Sequence, residues 1–157
     1  MTLRSAEDAP SVDLHIGVRF ALSGDPGALF ADARAVEAAG AHSVWFDAAE
    51  GDPYVALAAL AAVTWRIALV AKGAPRGAGR STCDTLARGR LVVAEESGEK
   101  WVHASFPADR KTWREIRAAA LASGATGVTL PNDARLIDLL RNPDQEDDRS
   151  DLNIAVG

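Results

Sequence analysis

Apolar positions alternate at the start of the chain. Val12, Leu14, Ile16, Val18 and Phe20 fall two apart and predict a strand within 12–22. Ser23-Gly24-Asp25-Pro26 then sets up a helix, with Asp25 as N-cap and Pro26 at the first helical position. Leu29, Ala33, Val36 and Ala39 keep helical spacing up to Gly40, a residue suited to the left-handed cap that ends a helix. Ser43-Val44-Trp45-Phe46 is short, β-branched and aromatic, the mark of a strand buried on both faces. Asp52-Pro53 repeats the cap and opens a helix predicted over 54–64. Its apolar face is nearly continuous, so it should be buried on more than one side. Residues 66–71 give a third strand. The rhythm β-α-β-α-β with short loops is that of a parallel sheet with right-handed crossovers.

The pattern changes after residue 72. Gly73, Pro75, Gly77 and Gly79 predict a loop over 73–80, with no regular helix behind it. Two strand-like runs, 90–94 and 100–105, are joined by Glu95-Glu96-Ser97-Gly98-Glu99, which predicts an antiparallel hairpin. Asp109 caps a helix predicted over 113–123 that stops at Gly124. A strand over 126–130 and a helix over 134–140 follow. The chain reads as a single domain, with residues 1–11 a flexible start and 144–157 an acidic tail. Residues 152–156 either add an edge strand or dock apolar side chains. The segment Ala38-Ala39-Gly40-Ala41-His42-Ser43-Val44 is echoed by Ala122-Ser123-Gly124-Ala125-Thr126-Gly127-Val128. That echo is either a repeated βα unit, from which barrels are built, or convergence on a good helix-to-strand loop.

Composition narrows the possibilities. A net charge of −5 argues against a general nucleic-acid surface, which needs concentrated Lys and Arg. A single cysteine, Cys83, excludes an internal disulfide and cysteine-rich zinc sites. The three histidines are scattered without metal-ligand spacing, so no metal site is expected. No stretch has the length and apolarity of a membrane span, and the start of the chain lacks the apolar core of a signal peptide. A cytoplasmic address is the expectation.

In this order and spacing the residues resemble the luciferase-like monooxygenases, which depend on a flavin or a deazaflavin. The resemblance rests on Gly17-Val18, on Glu37-Ala38-Ala39-Gly40 with Ser43-Val44-Trp45, and on Asp47 after that strand. It continues through Asp52-Pro53-Tyr54-Val55-Ala56-Leu57 to Thr64 and then Arg66-Ile67, and covers residues 16–71. The closing run Asp133-Ala134-Arg135-Leu136-Ile137-Asp138-Leu139-Leu140 also looks like the end of short members of this group. The resemblance implies a truncated TIM-barrel-like βα repeat, with FMN or the deazaflavin coenzyme F420 at the carboxyl ends of the strands. A full barrel needs about 250 residues, so 157 residues imply a strongly shortened member. The activity implied is that of an oxidoreductase or monooxygenase; the alternative is a non-catalytic remnant kept for dimerisation or regulation.

Four residues are candidates for the cofactor site. Asp47 ends a buried strand, where barrel chemistry sits, and either faces a ligand or caps the following loop. Lys72 ends the third strand on the same rim, and either meets an anionic ring edge or phosphate or pairs with a nearby acid. Arg19, inside the first strand, either reaches the barrel mouth or pairs with an acid on a neighbouring strand. Arg76 lies in the loop Ala74-Pro75-Arg76-Gly77-Ala78-Gly79-Arg80-Ser81, a poor match to a phosphate-binding P-loop that could still fold over an anionic ligand. No residue stands out as a nucleophile. A homo-oligomer is expected, because the 54–64 helix is apolar almost all round and few helices are readable to cover it. The luciferase-like enzymes also associate through helices of this first half.

Overall fold

The computed structural model describes residues 13–22 and 24–145. Residues 1–11, expected to be a flexible start, most of the acidic tail and the edge strand or docking segment expected at 152–156 lie outside the described residues. The first half follows the sequence pattern closely. β1 (His15–Arg19), α1 (Pro26–Ala38), β2 (Ser43–Asp47), α2 (Pro53–Ala61) and β3 (Ala68–Lys72) appear in the expected order. Asp25 accepts a hydrogen bond from the Gly27 amide, and Asp52 accepts from the amides of Tyr54 and Val55. Both aspartates therefore satisfy amides that the first turn of a helix leaves unpaired.

Two expectations for the second half are corrected. A helix does follow β3: α3 (Arg80–Ala87) precedes β4 (Leu91–Val93). Residues 81–85 of it are Ser, Thr, Cys, Asp and Thr, none a strong helix former. Its two buried residues, Cys83 and Ala87, lie one turn apart, and the helix is stabilised by packing on α2. The hairpin does not form. β5 (Trp101–His103) runs parallel to β6 (Gly127–Pro131), β4 runs parallel to β3, and the strand order is β4-β3-β2-β1-β6-β5. The two strands expected to pair are the opposite edges of a six-stranded, all-parallel sheet. α4 (Arg110–Ala122) links β5 to β6, and the short α5 (Leu136–Arg141) follows β6.

Residues 94–100 carry the chain from one edge to the other, and this forces the sheet to curl. In a flat sheet the edges would lie five strand spacings apart, about 24 Å. The linker must also descend the length of a short strand, and residues 94–96 are spent in a 3-10 turn. Seven residues extend at most about 25 Å. A second observation agrees: the indoles of Trp45 on β2 and Trp101 on β5 meet at 5.1 Å between centroids, although β1 and β6 separate their strands. The result is an open half-barrel, with the 94–100 linker in place of further βα units.

The core lies between the convex face of the sheet and the helices. Val18, Val44, Phe46, Leu69, Val128 and Leu130 point outward from the strands and pack with Val36, Leu57, Leu60, Trp113 and Leu136. α2 is buried on several sides, as its apolar pattern predicts, and packs on β2, β3 and α3. α3 covers one side of α2, and Val55 on the same helix remains exposed.

The 73–79 loop has its own explanation. It wraps the buried Tyr54 ring, whose hydroxyl donates to the Ala74 carbonyl, and a Cβ on Gly77 would come within 2.6 Å of that ring. Gly77 and Gly79 let the backbone approach Tyr54.

Candidate functional site

The concave face of the sheet is lined by the alternate strand residues. Gly17 and Arg19 of β1 are level with Ser43 and Trp45 of β2, and on the other side with Thr129 and Pro131 of β6. Asp47 is level with Lys72, and His103 with Thr129. Indoles fill the lower part. Gly17 is glycine because a Cβ there would lie 2.6 Å from Trp45 Nε1 and 2.8 Å from Ser43 Oγ. Trp45 Nε1 donates to Ser43 Oγ at 2.8 Å, so the buried indole is both packed and satisfied.

Above the indoles, at the carboxyl ends of the strands, a cavity of about 310 Å3 opens to solvent. Phe20, Trp45 and Pro131 line its apolar side, and Arg19, Asp47, Lys72 and His103 bring polar groups to it. Asp47 and Lys72 form an ion pair of 3.1 Å. Asp47 also accepts from the Ala49 amide at 2.9 Å. That backbone bond, with Lys72 beside it, holds the Asp47 carboxyl below the usual aspartate range.

Arg19 is held differently. Its guanidinium donates to the Ala104 carbonyl at 2.7 Å and to Thr129 Oγ1 at 3.4 Å. Among the described residues no carboxylate pairs with it. Burial lowers its pKa. On the other side of Thr129, His103 Nδ1 lies 2.6 Å from the same hydroxyl oxygen. Burial, and then the positive charges of Lys72 and Arg19, lower the His103 pKa against the opposing pull of Asp47.

Three of the four residues expected at a cofactor site, Arg19, Asp47 and Lys72, converge on this cavity from β1, β2 and β3. Arg76 does not; it is exposed on the loop around Tyr54. Asp47 caps the 48–50 turn, the second of the two readings offered for it, and it also lines the cavity.

His103, Trp45 and Thr129 were missed by the sequence reading. The signal for His103 was present: it ends the 100–105 run, and a parallel rather than hairpin assignment would have put it on the rim.

Among the described residues no group of three or more His, Cys, Asp or Glu is placed to hold a metal ion, and no helix is long and apolar enough to cross a membrane. No family model matches the chain, and no curated protein matches its sequence.

Proposed function

We propose that the cavity at the carboxyl ends of the strands binds the ring of a flavin or deazaflavin, and that the chain is a shortened luciferase-like protein of the oxidoreductase class. One observation carries the reading: an aromatic-walled cavity with convergent charged groups sits at the carboxyl mouth of a parallel βα half-barrel. This is where such folds place their ligands.

Size and lining fit the ring rather than a whole nucleotide. About 310 Å3 is at the lower end of small-molecule sites, roughly 300–1,000 Å3. A phosphate-bearing tail finds little on the loops after β5 and β6. Arg135 is paired with Asp133, and Arg110, at the start of α4, with Asp138. When bound, such a ring supplies hydride or electron transfer. The chain's own contribution is binding and electrostatics. Phe20 and Trp45 exclude water from one side, Lys72 is oriented by Asp47, and Arg19 is braced by Ala104 and Thr129. Two cations at the ring's polar edge favour the form that carries negative charge there.

The alternative of a dimerising remnant has less support, because α3 covers one side of the α2 helix that motivated it and leaves Val55 as its large exposed apolar residue. The test is titration with riboflavin, FMN and a deazaflavin, followed by tryptophan quenching and by the visible spectrum of the ligand. Saturable quenching that weakens in Trp45→Phe and Lys72→Met supports the reading. Absence of saturable change with all three ligands overturns it.

A further inference from the structure

Among the described residues no carboxylate meets Arg19 at the mouth, and the charges of Lys72 and Arg19 already disfavour a second positive charge on His103. We infer that the mouth is an oxyanion site, in which Arg19, Lys72 and the Nε2–H of His103 together take the carboxylate of a small organic acid.

The tautomer follows from the hydrogen bonds. Thr129 is fully buried, so its hydroxyl proton needs an acceptor. Arg19 can only donate to Thr129 Oγ1. His103 Nδ1, at 2.6 Å, is the acceptor within reach. The imidazole proton then sits on Nε2, which has no partner within the described chain, and His103 is an exposed residue lining the cavity. The relay Arg19–Thr129–His103 thus leaves one nitrogen donor free while fixing the ring.

Lys72 completes the set from the opposite side. Its partner Asp47 is already engaged by the Ala49 amide, and the Lys72 side chain is 42% exposed. An ammonium has three donors, so Lys72 can keep Asp47 and still reach a ligand. The donors come from β1, β3 and β5, which the curl of the sheet brings together. The acids that face these groups are Asp47, held by Lys72, Glu50, exposed at the edge of the mouth, and Glu95 and Glu99, which line an adjoining cavity with Lys72 and His103 and accept from the Gly73 amide and the Trp101 indole respectively. Carboxylate binding would supply the countercharge that Arg19 lacks. It would also relieve the electrostatic penalty on His103, so proton uptake at His103 and anion binding are linked.

This inference rests on the mouth being the ligand site, but it does not require a flavin. Benzoate is the probe, with riboflavin as an uncharged ring for comparison. His103 is followed by imidazole NMR across a pH titration. Benzoate is expected to shift the His103 resonances saturably and to raise the midpoint of its titration. Lys72→Met should weaken benzoate binding by about fivefold, the upper range for an exposed charge pair. Arg19→Lys, which keeps the charge but changes the fork, should weaken it as well. If the variant fails to fold, the wild-type titration and Lys72→Met decide the matter. No saturable shift, or an equal shift with chloride at matched ionic strength, overturns the inference. Riboflavin binding without a benzoate effect removes the oxyanion site alone. A benzoate effect without riboflavin binding supports the oxyanion site and removes the flavin reading.

Discussion

Glu37, near the end of α1, holds the backbone of Ile67 at the entrance to β3: its Oε1 accepts from the Ile67 amide at 2.9 Å. The same oxygen accepts from the amides of Trp65 and Arg66, at 2.8 and 2.6 Å. Arg90 braces the segment from the other side. It donates to the carbonyls of Ala61, Thr64 and Ile67 and to the Thr64 hydroxyl. Two charged residues from distant parts of the chain thus fix the turn from α2 into β3, and with it the position of Lys72 five residues on.

Removing either brace should destabilise the fold. Hydrogen bonds to charged groups contribute about 1.5–3 kcal/mol, and Glu37 is partly screened by solvent, so Glu37→Ala is expected to cost about 2 kcal/mol. Arg90→Ala should cost about 3 kcal/mol, because it strands the Ala61 carbonyl at the end of α2 and those of Thr64 and Ile67 in the turn beyond it. The two losses should be less than additive, since both act on one turn. Burial tends to raise the Glu37 pKa, but the three amide bonds and the Arg90 charge outweigh it and hold the carboxyl below its usual range. This part of the stability is therefore complete above the unfolded glutamate range and is lost as pH falls through the lower folded value. Urea melts of wild type and variants between neutral and acid pH test both statements; purely additive losses would remove the shared-turn argument.

Much of the first half of the fold was legible because its signals are local. Asp25-Pro26 and Asp52-Pro53 are caps that act within one turn, and the strand runs are apolar enough to be buried. The path after β4 was not legible, because parallel and antiparallel strands of three residues look alike in sequence. What decides between them is the curl of the whole sheet and the Trp45–Trp101 contact across its concave face. α3 escaped notice because two buried residues one turn apart make no visible period. Asp47, Lys72 and Arg19 could be located at strand positions in the sequence, whereas the His103–Thr129 pairing depends on the register of β5 against β6.

The two inward glycines are expected to be intolerant of a side chain. A Cβ on Gly127 would lie 2.6 Å from the His15 carbonyl oxygen and would also strike the Trp101 ring. Backbone cannot yield as a side chain can, so Gly127→Ala should be the worse of the two. Its cost should be about 3 kcal/mol, at the upper end for overpacking. Gly17→Ala should cost about 2 kcal/mol, since it meets side chains and displaces Trp45. Thermal melts with tryptophan emission are the measurement. A Gly17→Ala protein with unchanged emission and stability would show that Trp45 is not held as described.

Histidine should set the acid side of the stability profile. His42 stacks on His15 at 3.8 Å between ring centroids, and Trp101 lies 5.7 Å from His42. Burial, and then the neighbouring His15, lower the His42 pKa against the pull of Glu99. His103 is lowered as well. A histidine with a lowered folded pKa binds its proton more readily in the unfolded chain. Stability should thus fall as pH drops below the ordinary histidine value of about 6.5, and level off below the folded values. His42→Asn and His103→Asn should each flatten the slope between neutral pH and pH 5. An unchanged slope in the double variant would place the acid sensitivity elsewhere.

Cys83 offers a direct test of α3, the helix that the sequence pattern did not reveal. The thiol is fully buried against α2. Burial, with the negative charges of Asp84 and Asp52 adding to it, pushes its pKa up to about 11. The thiolate is the reactive form, and at pH 8 only about one thiol in a thousand would be ionised in the folded state. A free cysteine, with a pKa near 8.5, would be about a quarter ionised. Burial also bars the reagent, so modification by an aromatic disulfide should wait on opening of α3. The rate is expected to be far below that of the urea-unfolded chain. It should rise with denaturant either ahead of the global transition, if α3 opens alone, or with it, if α2 and α3 open together. Because Cys83 faces α2, Leu57→Ala should speed labelling more than Leu121→Ala, on the exposed face of α4. Immediate stoichiometric labelling of the native protein would mean that residues 80–87 are not packed as a helix against α2.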